Sequence, residues 1–113
     1  NTAVGGDNTF VGSNNKAAGS LNIAQGSDNT FVGEKNSATG DKNNMFGNEN
    51  VVIKGNSNIV DGVKNKVNQG SENFILGANN IIDKASSNRV EGSSNVVSKN
   101  NNKVTGDSNN VNG

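Results

Sequence analysis

A chain of 113 residues that is 29 % hydrophobic is too short for more than one domain and too polar to bury an ordinary globular core. Ten basic residues balance ten acidic ones and lie singly along the chain, so there is no basic stripe for nucleic acid and no amphipathic segment for membrane insertion. Without cysteine or histidine there are no disulfides, thiolate zinc ligands or imidazole bases, and neither an enzyme nor a bound metal or cofactor is expected.

In chain order the residues fall into units that each begin with asparagine. NTAVGGD, NTFVGSN, NKAAGSL and NIAQGSD come first, followed by NTFVGEK, NSATGDK and NNMFGNE. From Asn50 the units alternate between eight and seven residues: NVVIKGNS, NIVDGVK, NKVNQGSE, NFILGAN, NIIDKASS and NRVEGSS. NVVSKNN, NKVTGDS and NNVNG complete the series.

The third residue of every unit is apolar: Ala3, Phe10, Ala17, Ala24, Phe31, Ala38, Met45, Val52, Val60, Val67, Ile75, Ile82, Val90, Val97, Val104 and Val111. On a pleated strand such a residue points inward while its two neighbours point outward, which is why the second and fourth positions accept Lys, Arg, Asp, Asn and Ser. Glycine usually follows at the fifth position, where a tight corner demands positive φ or close backbone approach. Each unit therefore predicts a short strand and a corner.

A strand with one inward side chain cannot stand alone, but coiled units stack and share a continuous core. The expected fold is all-β, a parallel β-solenoid forming a single domain over residues 1–113 of a longer chain. Its leading asparagines, Asn8, Asn15, Asn22, Asn29, Asn36, Asn43, Asn50, Asn58, Asn65, Asn73, Asn80, Asn88, Asn95 and Asn102, would stack at about 4.8 Å and hydrogen-bond as a ladder. A disordered tract does not need an apolar residue at a fixed place in every unit, and a heptad helix does not tolerate glycine and asparagine in every turn.

Two patterns bear on the number of sides, and they disagree. Units taken in threes align Thr9 and Val11, Thr30 and Val32, Val51 and Ile53, Phe74 and Leu76, and Val96 and Ser98 as one apolar outward stripe, which argues for three units per coil. Alternation of eight- and seven-residue units argues for two, with coils of fourteen or fifteen residues. The stripe is the candidate interface or binding face, and exposed Lys16, Ser37, Lys66, Arg89 and Lys103 are candidate contact points.

No motif supplies catalytic chemistry. GGDNTFVG suggests a calcium-binding glycine-aspartate repeat, but Asp7, Asp28, Asp41 and Asp107 recur irregularly and read as solvated corners. GSNNKAAGS lacks the Lys-Ser/Thr ending and following helix of a phosphate loop.

NFILGANN, NKVTGDSNN and NTFVGEKNSATGDKN resemble the head repeats of trimeric autotransporter adhesins, the YadA-like family. That resemblance implies a left-handed parallel β-roll, three chains side by side, and a non-catalytic head on a bacterial outer surface that binds host or matrix multivalently. The same N-x-V-x-G repeat is similar to that of grass ice-recrystallisation inhibitors, small left-handed β-rolls whose partner is ice. The stripe drifts from Thr9 and Thr30 to bulky Ile53, Phe74 and Leu76, which favours a protein surface over ice. The adhesin head is therefore the leading expectation, with ice binding as the alternative.

Overall fold

The computed structural model describes residues 1–112. The first eight strands are β1 (Thr2–Val4), β2 (Thr9–Val11), β3 (Lys16–Ala18), β4 (Ile23–Gln25), β5 (Thr30–Val32), β6 (Ser37–Thr39), β7 (Asn44–Asn48) and β8 (Val51–Ile53). The remaining eight are β9 (Ile59–Val63), β10 (Lys66–Asn68), β11 (Phe74–Ala78), β12 (Ile81–Asp83), β13 (Arg89–Ser93), β14 (Val96–Val97), β15 (Lys103–Thr105) and β16 (Asn110–Val111). Odd-numbered strands form one parallel sheet and even-numbered strands the other, each in sequential order. We refer to them as the odd and even sheets. The coils stack into a body 40 × 19 × 13 Å across.

Each coil thus has two strands, which settles the number of sides. A seven-residue unit is half a coil, so units three apart lie one and a half coils apart and face opposite ways. The three-sided grouping is corrected accordingly. The eight-residue units carry β8, β10 and β12, all in the even sheet, and their extra residue is absorbed at the corner by Lys54, Gln69 and Lys84 at φ between 52° and 55°.

Inward residues of the two sheets meet as a single column of apolar side chains. Ala17, Ala24, Phe31, Ala38, Met45, Val52, Val60, Val67, Ile75, Ile82, Val90, Val97 and Val104 are buried, whereas Phe10 and Val111 are half-buried and pack against the column. Small and large residues balance: the coil holding Ala17 and Ala24 is flanked by coils holding Phe10 and Phe31, which fill the space two alanines leave. Ala85 is also buried, at the position that Gly55 and Gly70 occupy in the coils before it.

Two asparagine ladders flank this column. In the central rungs one side chain meets four partners. Asn58 Nδ2 donates to Asn43 Oδ1 at 3.1 Å and to the Gly70 carbonyl at 2.9 Å. Its Oδ1 accepts from the Asn73 backbone N–H at 3.0 Å and from Asn73 Nδ2 at 3.1 Å. The second ladder repeats this at Asn50, Asn65 and Asn80. Asn15 through Asn95 in these ladders are buried, while Asn8 and Asn102 are half-buried near the ends. Among the described residues no buried side-chain polar atom lacks a partner. That completeness lets a polar residue occupy the interior, because an unpaired buried amide is costly.

A further row runs along the corners of the even sheet. Asp41 Oδ1 accepts from the Ser27 N–H at 2.7 Å, Asn56 Oδ1 from Asp41 at 2.8 Å, Ser71 Oγ from Asn56 at 3.1 Å, and Ser86 Oγ from Ser71 at 3.0 Å. Short polar residues at that corner thus bind each coil to the next.

Corner glycines are required by both conformation and space. Gly62 has φ 136°, and a Cβ there would strike the Gly77 carbonyl of the next coil; Gly106, with φ 104°, meets only the Asn109 Nδ2 at 3.5 Å. Gly62→Ala should therefore lose several kcal/mol, combining ~1–3 for backbone strain with ~1–3 for overpacking, while Gly106→Ala loses only the strain. Equal losses in denaturant unfolding would contradict the steric account. Asn58→Ala, which strips partners from Asn43, Gly70 and Asn73, should destabilise by about 2–5 kcal/mol in the same assay. Removing the exposed outward amide in Asn110→Ala should change stability by no more than ~0.5 kcal/mol.

Candidate functional site

With inward positions filled, function must lie on the outward residues, the second and fourth of each unit. Pairing is residue for residue along both sheets, so these side chains form two straight columns per face. Rungs are spaced at about 4.8 Å and the columns stand roughly 7 Å apart, two residues along the strand.

On the even sheet one column runs Thr9, Ile23, Ser37, Val51, Lys66, Ile81, Val96 and Asn110. Beside it stand Val11, Gln25, Thr39, Ile53, Asn68 and Asp83. From β2 to β8 this face holds no charge and, apart from Gln25, is built of hydroxyl- and methyl-bearing side chains, of which Ile23 and Ile53 are the bulkiest. The charges that interrupt it are Lys66 and Asp83, and Asp83 accepts a 2.7 Å hydrogen bond from Asn68 Nδ2.

The odd sheet is different in kind. Its columns run Thr2, Lys16, Thr30, Asn44, Ile59, Phe74, Arg89 and Lys103, and Val4, Ala18, Val32, Phe46, Asp61, Leu76, Glu91 and Thr105. Charges appear at five of these positions, and bulky apolar residues cluster in the middle. The Arg89 guanidinium lies 4.9 Å from the Phe74 ring centroid and donates through Nε to Glu91 Oε1 at 2.6 Å.

Two shallow grooves follow one edge of the coil. One of about 420 Å³ is lined by Asn1, Thr2, Asn14, Asn15, Lys16, Asp28 and Thr30. The other, about 480 Å³, is lined by Glu72, Phe74, Ser87, Asn88, Arg89, Asn101, Asn102 and Lys103. Both are open rather than enclosed like typical small-molecule sites; the first is lined mainly by polar surface, and the second, which includes Phe74, by polar and apolar surface in similar measure.

A family model described as "Grass antifreeze beta roll" matches residues 34–113, well over half of the chain. The chain belongs to the grass antifreeze beta-roll family. No curated protein matches it. The matched region contains two-strand coils and rungs of both ladders, and nothing in these comparisons supports the adhesin-head resemblance.

The candidate binding face from the sequence is not brought together. Thr9, Val11, Val51, Ile53, Val96 and Ser98 lie on the even side, while Thr30, Val32, Phe74 and Leu76 lie on the odd side. The half-coil length of the unit is the cause. These residues therefore do not share one face; of the bulky ones, Phe74 and Leu76 lie off the face that begins at Thr9, whereas Ile53 lies on it. Of the candidate contact points, Ser37 and Lys66 are on the even sheet and Lys16, Arg89 and Lys103 on the odd sheet. Ile23, Gln25 and Thr39 complete the even face but fall outside the three-unit grouping; reading every second unit instead would have found them.

Proposed function

We propose that this chain binds ice and slows its recrystallisation through the outward face of the even sheet. The observation that carries the reading is the uncharged array from β2 to β8, in which Thr9, Ile23, Ser37 and Val51 stand beside Val11, Gln25, Thr39 and Ile53. Water over apolar groups has restricted orientations, and hydroxyls at regular spacing add anchoring hydrogen bonds, so such an array holds an ordered layer that can merge with an ice surface. A lysine ammonium binds its own hydration shell strongly and breaks that order. The odd sheet, with Lys16, Asp61, Arg89, Glu91 and Lys103, is the poorer candidate on this ground.

Binding is the sum of many weak contacts, effective because the ladders hold them in fixed register. The mechanism involves no bond making or breaking, and we place the protein outside the cell, where it meets growing ice. Membership in a family named for antifreeze activity supports this reading over adhesion to a host surface.

Thr39→Lys should raise the protein concentration needed to inhibit ice recrystallisation by on the order of tenfold, because one disordered rung interrupts a multivalent array. Ala18→Lys, an equal change on the odd sheet, should leave inhibition unchanged. Absence of inhibition by the unmodified chain, or equal losses in the two variants, would overturn the assignment.

A further inference from the structure

We propose that the odd sheet is a self-association surface on which a second copy of this chain docks face to face, with the twofold axis parallel to the long axis of the solenoid. The proposal is independent of the ice-binding reading. Its starting point is a patch of exposed large apolar side chains in the middle of the odd sheet, where Phe46, Ile59 and Leu76 are between 38 % and 42 % exposed. Half-buried Phe74 joins them. The largest contiguous apolar patch on a monomer is often functional.

Charge selects the partner and its orientation. A twofold along the solenoid axis places the second residue of each unit over the fourth residue of the same unit in the partner copy. Phe74 then covers the other copy's Leu76, and Asn44 its Phe46. Arg89 faces Glu91 twice, so that two guanidiniums and two carboxylates alternate around a square. Within one chain Arg89 already pairs with Glu91 through Oε1, which leaves guanidinium donors and the second carboxylate oxygen to bridge the copies. Asp61 falls over Ile59, and Lys16 and Lys103 fall over Ala18 and Thr105, so no like charges oppose each other. A twofold along the strand direction does worse. Centred on β9 it opposes Asp61 to Asp61, and centred on β11 it opposes Asp61 to Glu91; midway between them it leaves every charge without a partner.

The patch and its ion pair span four strands, β7, β9, β11 and β13, on the order of 200 Å² per copy from strand spacing and residue rise. That is well below the ~800 Å² per partner of a standard stable interface, so association is weak and visible only at high protein concentration. In the dimer both even faces point outward, one on each side.

The test is solution mass by sedimentation equilibrium over a rising concentration series. The unmodified chain should move from monomer towards dimer, and Leu76→Asp should remain monomeric with unchanged far-ultraviolet circular dichroism. Arg89→Glu and Glu91→Arg should each abolish association alone, since each places like charges within and between copies. An equimolar mixture of these two variants should recover the dimer mass, because the two carboxylates of one variant then face the two guanidiniums of the other. A monomer at every concentration, which would mean that something other than a second copy covers this face, overturns the proposal. So does a mixture that fails to associate, or a Leu76→Asp chain that still dimerises.

Discussion

The amide ladder of the leading asparagines is the constraint on which the rest of the molecule depends. A strand of three residues has too few backbone hydrogen bonds and too little apolar area to hold its place. Each corner here is fixed by a buried side chain that supplies two donors and one doubly used acceptor to the coils on either side. Asparagine is suited to this because it carries both donor and acceptor without charge, so identical residues can stack indefinitely. Aspartate would face the neighbouring corner carbonyl with a lone pair and bring a buried charge. In a low-dielectric interior such chains of hydrogen bonds polarise one another, and the ladder strengthens as it lengthens.

From that constraint the arrangement of surfaces follows. Fixed corners hold the strands in register, register aligns the outward residues into columns, and columns make a face with a definite repeat. The core needs only one apolar residue per strand, so a chain of low hydropathy folds, and the two outer faces are left free for other uses. They have diverged: the even sheet is uncharged over its first half and mixes hydroxyl and methyl groups, while the odd sheet gathers aromatic, aliphatic and paired charged groups. The same scaffold can therefore carry the proposed ice-binding array on one side and the proposed self-association surface on the other.

The repeat, the strand-and-corner unit and the ladder were legible because each recurs at a fixed place in every unit. The number of sides was not, because a seven-residue unit divides evenly into coils of two or three, and the copy of NTFVG at Asn29 suggests three. What decides between them is the corner after β8, β10 and β12, where Lys54, Gln69 and Lys84 take the left-handed conformation and let every second unit hold an extra residue. That signal is present as length alternation, but it competes with a stripe whose members lie on both faces. The face proposed to bind ice was missed for the same reason. Ile23, Ser37 and Thr39 become neighbours of Thr9 and Val11 only when alternate units are stacked. The corner row from Ser27 to Ser86 left no strong sequence mark, since serine, aspartate and asparagine accept hydrogen bonds interchangeably there.

Hydrogen exchange of the asparagine side-chain amides, followed residue by residue by nuclear magnetic resonance, tests the central claim most directly. The Nδ2 protons of Asn58, Asn65, Asn73 and Asn80 should exchange as slowly as the backbone amides of β9 to β12, because both are released only when coils separate. Side-chain amides that exchange at the rate of free asparagine, while the strand amides stay protected, would show that the coils are held by their backbones and core alone, and would contradict the account.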